Sequence, residues 1–147
     1  MIERVVRHLT KDELKQKLKS AWLLHKQIEE HLAELQELRS FACKITPVYS
    51  LVPGGSSCGQ KLENNIAKIA DMEVLLQDET DEFLKSLREV RELIKLINDP
   101  IQRLIMQKRY LNYQKWEVIA ADLGYSWRRV HQLHGEGLNK ILTEYQK

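Results

Sequence analysis

Glycine and proline are scarce in this chain, at six and three of 147 residues. That scarcity excludes collagen-like and low-complexity segments and leaves little material for the tight turns of a β-sandwich or barrel. Cysteine is rarer still. Cys43 and Cys58 stand apart, with no CxxC and no nearby histidine pair, so neither a disulfide framework nor a zinc site is supported and both are expected as free thiols. No stretch approaches the roughly 18 apolar residues of a membrane span, and the opening MIERVVRHLT lacks the apolar core of a signal peptide. A cytoplasmic location without a membrane partner is expected. A Gly-rich phosphate loop, a nucleophile with a placed base and a metal-ligand cluster are all missing; His131 and His134 are three apart on one helix without further ligands. No enzymatic activity, catalytic residue, metal or cofactor is therefore expected.

What the chain does have is charge, 30% of its residues, in the manner of long solvated helices. The net charge is only +2, but it is unevenly spread. Residues 1–99 hold 15 Lys and Arg against 17 Asp and Glu, whereas residues 100–147 hold 8 against 4. A basic end on a slightly acidic body is the asymmetry expected when one part meets phosphate and another does not.

Apolar periodicity organises the body. Thr10 and Glu13 form a capping-box pattern, after which Leu14, Leu18, Ala21, His25, Ile28, Leu32 and Leu35 recur at alternating spacings of four and three and fade near Phe41. A second seam of the same period runs through Leu62, Ile66, Ile69, Glu73, Leu76, Thr80, Phe83, Leu87, Val90, Ile94 and Ile97. Between them the ITPVYSLVPGGSSCGQ segment, with two prolines and a Gly-Gly pair, is expected to end the first helix, giving a loop over about 42–59. The fold class expected is all-α: a long, coiled-coil-like antiparallel hairpin over residues 1–98, with arms of roughly 45 Å for about 30 residues, followed by a second domain over 99–147. The polar seam positions His25, Glu73 and Thr80 are tolerated near a solvated rim or act as register specifiers.

Asp99 before Pro100 marks the next helix start. Ile101, Leu104, Ile105, Lys108 and Leu111 lie on this helix, which breaks at Asn112 and Tyr113. Trp116, Ile119, Ala120 and Leu123 predict a short helix ended by Gly124 in a left-handed conformation. Ser126 caps the last helix, whose buried side is Val130, Leu133, Leu138, Ile141 and Leu142. Gly135 and Gly137 in its interior cost about 1 kcal/mol each relative to Ala, which calls for close approach or a bend.

Two short helices joined by a tight glycine turn, with a small inward residue at the crossing, make the helix-turn-helix pattern. Only an exposed N-terminal half of the second helix can enter a major groove, and Trp127, Arg128, His131 and Gln132 fall opposite Val130 and Leu133. Arg pairs bidentately with guanine, Gln with adenine, and the amides after Ser126 receive phosphate. Ser126, Trp127, Arg128, His131 and Gln132 are the candidate base-reading residues, and Lys108, Arg109, Lys115 and Arg129 the candidate phosphate contacts. Trp127 has an alternative place against Tyr125 or Tyr110.

The stretch YSWRRVHQLHGEGL is similar to the promoter-reading helix-turn-helix of bacterial primary sigma factors, matching at Ser126, Arg129, Val130, Gln132, Leu133 and Leu138 and departing at Trp127, Arg128 and Gly137. More of the chain, about residues 10–145, resembles small phage and prophage proteins related to the ArpU and RinA-type late transcriptional regulators. The shared features are the 47–59 loop, Asp99 with Arg103, Arg109 with Tyr110, Trp116 with Ile119 and Ala120, Gly124 to Ser126, and His134 with Gly135. This resemblance implies a phage transcriptional regulator in a bacterial host cell, its hairpin (residues 10–98) forming a homodimer or higher oligomer or meeting host RNA polymerase. A small terminase subunit, which also joins a helix-turn-helix to a helical hairpin, is the alternative.

Overall fold

A computed structural model describes the backbone of residues 9–51 and 56–147 and the side chains of residues 9–44 and 59–147. Among the described residues the chain is all-helical, with two long helices packed together, α1 (Lys11–Leu51) and α2 (Ser56–Lys95), followed by α3 (Pro100–Tyr110), α4 (Trp116–Leu123) and α5 (Trp127–Tyr145). None of these helices is long and apolar enough to cross a membrane. The expected loop of 42–59 is mostly helix instead. α1 continues through Pro47 to Leu51 and α2 begins at Ser56, because a proline removes one backbone donor from a helix without obliging it to end. Of that loop, 52–55 lie outside the described residues, as does the side chain of Cys58; Cys43 is exposed and free.

The contacts divide the chain into two compact units, Met1–Leu23 with Leu84–Lys147 (unit 1) and Leu24–Phe83 (unit 2). In unit 1, α1 begins with the expected reciprocal cap: Thr10 N donates to Glu13 Oε2 at 2.8 Å and Glu13 N to Thr10 Oγ1 at 3.2 Å. Leu14, Leu18 and Ala21 of α1 are fully enclosed, as are Val90 and Ile97; Leu93 and Ile94 are nearly so. Lys17 faces Glu89 and Ser20 bonds Ser86, so the helices run antiparallel here. Asp99 caps α3 by accepting from Ile101 N and Gln102 N, and the Arg103 guanidinium donates twice to the Ile97 carbonyl, at 3.0 and 2.7 Å. That fork ties the end of α2 to the start of α3.

Unit 2 is also an antiparallel pair, matching His25 with Phe83, His31 with Glu79 and Arg39 with Glu73. Its seam differs from the expected one. Leu35 and Leu76 are buried, but Leu32 and Ile66 are about half exposed (51% and 56%) and Glu73 is exposed, while Asn65 is buried and His31 and Met72 are half-buried. Anchors seven apart leave two candidates between them, at +3 and +4, which lie about 100° apart on the helix. At Leu32 and Ile66 the apolar side chain favoured +4, and at Glu73 only the continued period did; the side from which the partner helix approaches selects +3. His31 is accommodated by Nδ1 lying 2.7 Å from Glu79 Oε2, whereas Asn65 Nδ2 is enclosed without a hydrogen-bond partner among the described residues.

Candidate nucleic-acid interface

The surface begins with how α4 and α5 are joined. α4 ends on Gly124 at φ 66°, ψ 27°, a left-handed conformation available to glycine without a Cβ penalty. Tyr125 N then returns to the Ala120 carbonyl at 3.1 Å. Ser126, extended at φ −67°, ψ 152°, accepts from Arg129 N at 3.2 Å and starts α5. α5 packs its inner side through Val130 and Leu133 against Ile105 of α3 and Ile119 and Ala120 of α4. Leu138 and Ile141 continue that side, as do His134 and Gly137, while Leu142 is only half-buried. Gly137 is an approach point: a Cβ there would stand 3.4 Å from Ile97 Cδ1 and 3.7 Å from Met106 Cγ. Gly135 faces open space, and α5 runs on without a break.

The outer side of the same helix is solvent-facing for its first two turns. Ser126, Trp127, Arg128, Arg129 and Gln132 are all exposed, Trp127 by 57%. Arg128, Arg129 and the exposed Lys115 make no ion pair among the described residues, and Gln132 donates to Glu136 at 3.2 Å. His131 is placed differently from these. It is half-buried, with its ring 3.9 Å from that of Trp127 and 4.4 Å from that of Trp116, and its Nε2 is enclosed without a hydrogen-bond partner among the described residues. Trp127 therefore lies on His131, rather than on Tyr125 or Tyr110. The stack continues inward from Trp116 to His134 at 4.8 Å, and His134 Nε2 meets Tyr110 Oη at 2.8 Å.

Two of the expected phosphate contacts are engaged by the protein. Lys108 pairs with Asp122 and is largely covered. Arg109 lies over the Trp116 ring, 4.7 Å from its centroid, and donates to the Gln114 carbonyl at 3.0 Å. Both side chains brace the turn between α3 and α4, where Tyr113 takes a positive φ of 57°. Burial pushes His134 down to about 4, helped by the positive fields of His131, Lys15, Arg109 and Lys11, and burial pushes the Tyr110 phenol up to about 12. Their hydrogen bond thus joins a neutral imidazole to a neutral phenol near neutral pH.

No protein family, curated protein or solved structure matches this chain.

Tyr110, Trp116 and His134, which hold the stack from beneath, were not among the sequence-derived site residues. A signal for His134 existed: it lies four residues from both Val130 and Leu138, on the helical side that is buried. Lys11 and Lys15 are a different case, since they act on His134 from the far end of the chain and nothing local reveals that proximity. Among the described residues no group of three or more His, Cys, Asp or Glu is placed to hold a metal ion.

Proposed function

We propose that residues 99–147 form a helix-turn-helix domain that binds double-stranded DNA, with the first two turns of α5 entering the major groove. The observation that carries this reading is the two-sided character of those turns. Val130 and Leu133 are buried against α3 and α4, whereas Trp127, Arg128, Arg129 and Gln132 stand in solvent. A helix held rigidly on one side and presenting Arg and Gln on the other meets the geometric need for base-edge contact. Arg128 and Gln132 read bases, Trp127 packs on a thymine methyl or sugar edge from its platform on His131, and the amides following Ser126 receive a phosphate. Arg129 and Lys115 contact phosphate; Lys108 and Arg109 do so only by adding to the local positive field, since protein groups already engage them.

The resemblance to ArpU and RinA-type regulators turns this into a phage transcriptional regulator, with unit 2 as the part that meets another protein, a second copy or host RNA polymerase. Unit 2 leaves Leu32, Ile66 and Val74 at least half exposed, in keeping with a protein-facing role. The direct test is selection from a random duplex pool. Enrichment of one narrow sequence supports the reading, and no duplex retention even at low salt defeats it. Light scattering separates the alternative: a dimer fits a regulator, whereas a ring of about eight or more protomers moves the assignment to a small terminase subunit.

A further inference from the structure

Trp127 opens α5 with 57% of its surface in water and takes no part in the core that Val130 and Leu133 form with α3 and α4. Its ring is nonetheless held. The indole lies on the His131 ring at 3.9 Å, tilted by 46°, and His131 lies on Trp116 at 4.4 Å, tilted by 42°. Trp116 is held in turn by the Arg109 guanidinium, 4.7 Å from its centroid, and by His134 at 4.8 Å. Among the described residues Trp127 meets no ring besides His131, so one face of the indole is covered and the opposite face is open to solvent. An exposed aromatic side chain ordinarily loses rotamer freedom when it takes a ligand. Here the stack has removed that freedom beforehand, and the open face is preorganised.

The charge around that face narrows its occupant. Arg128 and Arg129 follow Trp127 directly, both exposed and without an ion pair among the described residues, and the first amides of α5 belong to the same turn. A ligand with a flat π surface beside an anion satisfies both features, and a nucleotide is such a ligand. Inside a paired duplex, however, neighbouring bases cover both faces of each base, and only edges, methyl groups and sugars reach a groove. The open face of Trp127 is therefore used in full only by a base that has left the stack.

We infer that the outer face of Trp127 is a stacking site for an unpaired base, with Arg129 and the amides after Ser126 taking the phosphate beside it. This inference rests on the duplex-binding reading of α5 and goes beyond the methyl or sugar-edge contact that paired DNA offers Trp127. It gives α5 a preference for duplexes holding a bulged or mismatched base, for which leaving the stack costs least.

Three fluorescein-labelled duplexes of one sequence test it by anisotropy on the full-length chain: fully paired, with one extra unopposed adenine, and with an abasic sugar in place of that adenine. The abasic bulge keeps the interruption and lacks the ring, so the affinity ratio of the two bulged duplexes isolates stacking. The adenine bulge is expected to bind at least about 5-fold more tightly than the abasic one, the contribution of one stacked base. Trp127→Leu keeps an apolar side chain and a good helix former without a π face, and is expected to bring the ratio to about 1; Trp127→Phe, with a smaller ring, is expected to retain part of it. With 5-iodouracil as the unopposed base, ultraviolet crosslinking of the wild type is expected at Trp127, and this readout decides if Trp127→Leu loses helical circular dichroism. A ratio near 1 in the wild type, a preference that survives Trp127→Leu, or crosslinking confined to other residues overturns the inference, and retention of the fully paired duplex then leaves the α5 reading in place. If no duplex is retained at low salt, both fall.

Discussion

Arg128 and Lys115 are both exposed cations without ion-pair partners among the described residues, yet they stand in different places and make different predictions. Arg128 lies on the first turn of α5, and Arg128→Ala is expected to cost about 1–3 kcal/mol on the selected sequence and to relax preference at one base. Lys115 precedes α4 and its side chain makes no cap bond, so Lys115→Ala should weaken all duplexes about equally and leave folding unchanged. Equal losses for both variants on selected and random DNA would contradict these roles. His134 makes a separate prediction about pH. Unfolded, it titrates near 6.5; folded, at about 4. The unfolded chain therefore takes up the proton first, so the stability this histidine contributes is whole above pH 6.5 and is lost as pH falls towards 4, by up to about 3 kcal/mol. Urea unfolding of wild type and His134→Phe across pH 7.5 to 4 should show the steeper acid loss in the wild type. Parallel curves would refute it.

At the scale of elements, the glycines of the C-terminal helices separate by cause. A methyl group on Gly124 would meet open space, but the backbone there has a positive φ, so Gly124→Ala should cost about 1–2 kcal/mol through the backbone alone, and Gly124→Asn less. Gly135 has neither constraint, and Gly135→Ala should stabilise α5 by up to about 1 kcal/mol. Gly137 lies against Ile97 and Met106; Gly137→Leu should overpack this contact and cost about 1–3 kcal/mol, whereas Gly135→Leu should be tolerated. Thermal unfolding of the set checks the order. In unit 2, Asn65 hides an amide without a partner among the described residues, a loss of about 1–3 kcal/mol. Asn65→Leu is expected to raise the melting temperature, and a lower one would show the amide to be needed. The caps of α1, α3 and α5 were legible in sequence because Thr10, Glu13, Asp99 and Ser126 bond backbone within three residues. The seam of unit 2 was only half legible: the anchors Leu62, Ile69 and Leu76 fit both phases, and Leu32 and Ile66 lent apolar weight to the wrong one.

For the whole molecule, the division of charge by unit carries the main consequence. A basic unit 1 and an acidic unit 2, whose 5 Lys and Arg against 11 Asp and Glu give a net of −6, leave the chain a net charge of only +2, so copies repel one another weakly while their opposite charges attract at low salt. Light scattering is expected to show association on lowering salt that is reversed at physiological salt. The same oligomeric state at both would show that the acidic residues of one copy do not engage the basic residues of another.

What the sequence determined by itself was what local physics can decide: the all-helical class, the caps, the left-handed Gly124, the break near Asn112 and Tyr113, and the burial of Val130, Leu133, Leu138 and Ile141 on one side of α5. Each depends on residues within a turn or two of one another. Tertiary structure alone decided which residue fills each gap in the unit 2 seam, how His131 lies between Trp116 and Trp127, that Lys108 and Arg109 are engaged by Asp122 and Trp116, and that Lys11 and Lys15 act on His134. Those outcomes depend on the direction from which a distant segment arrives, and neither helical periodicity nor composition encodes that direction.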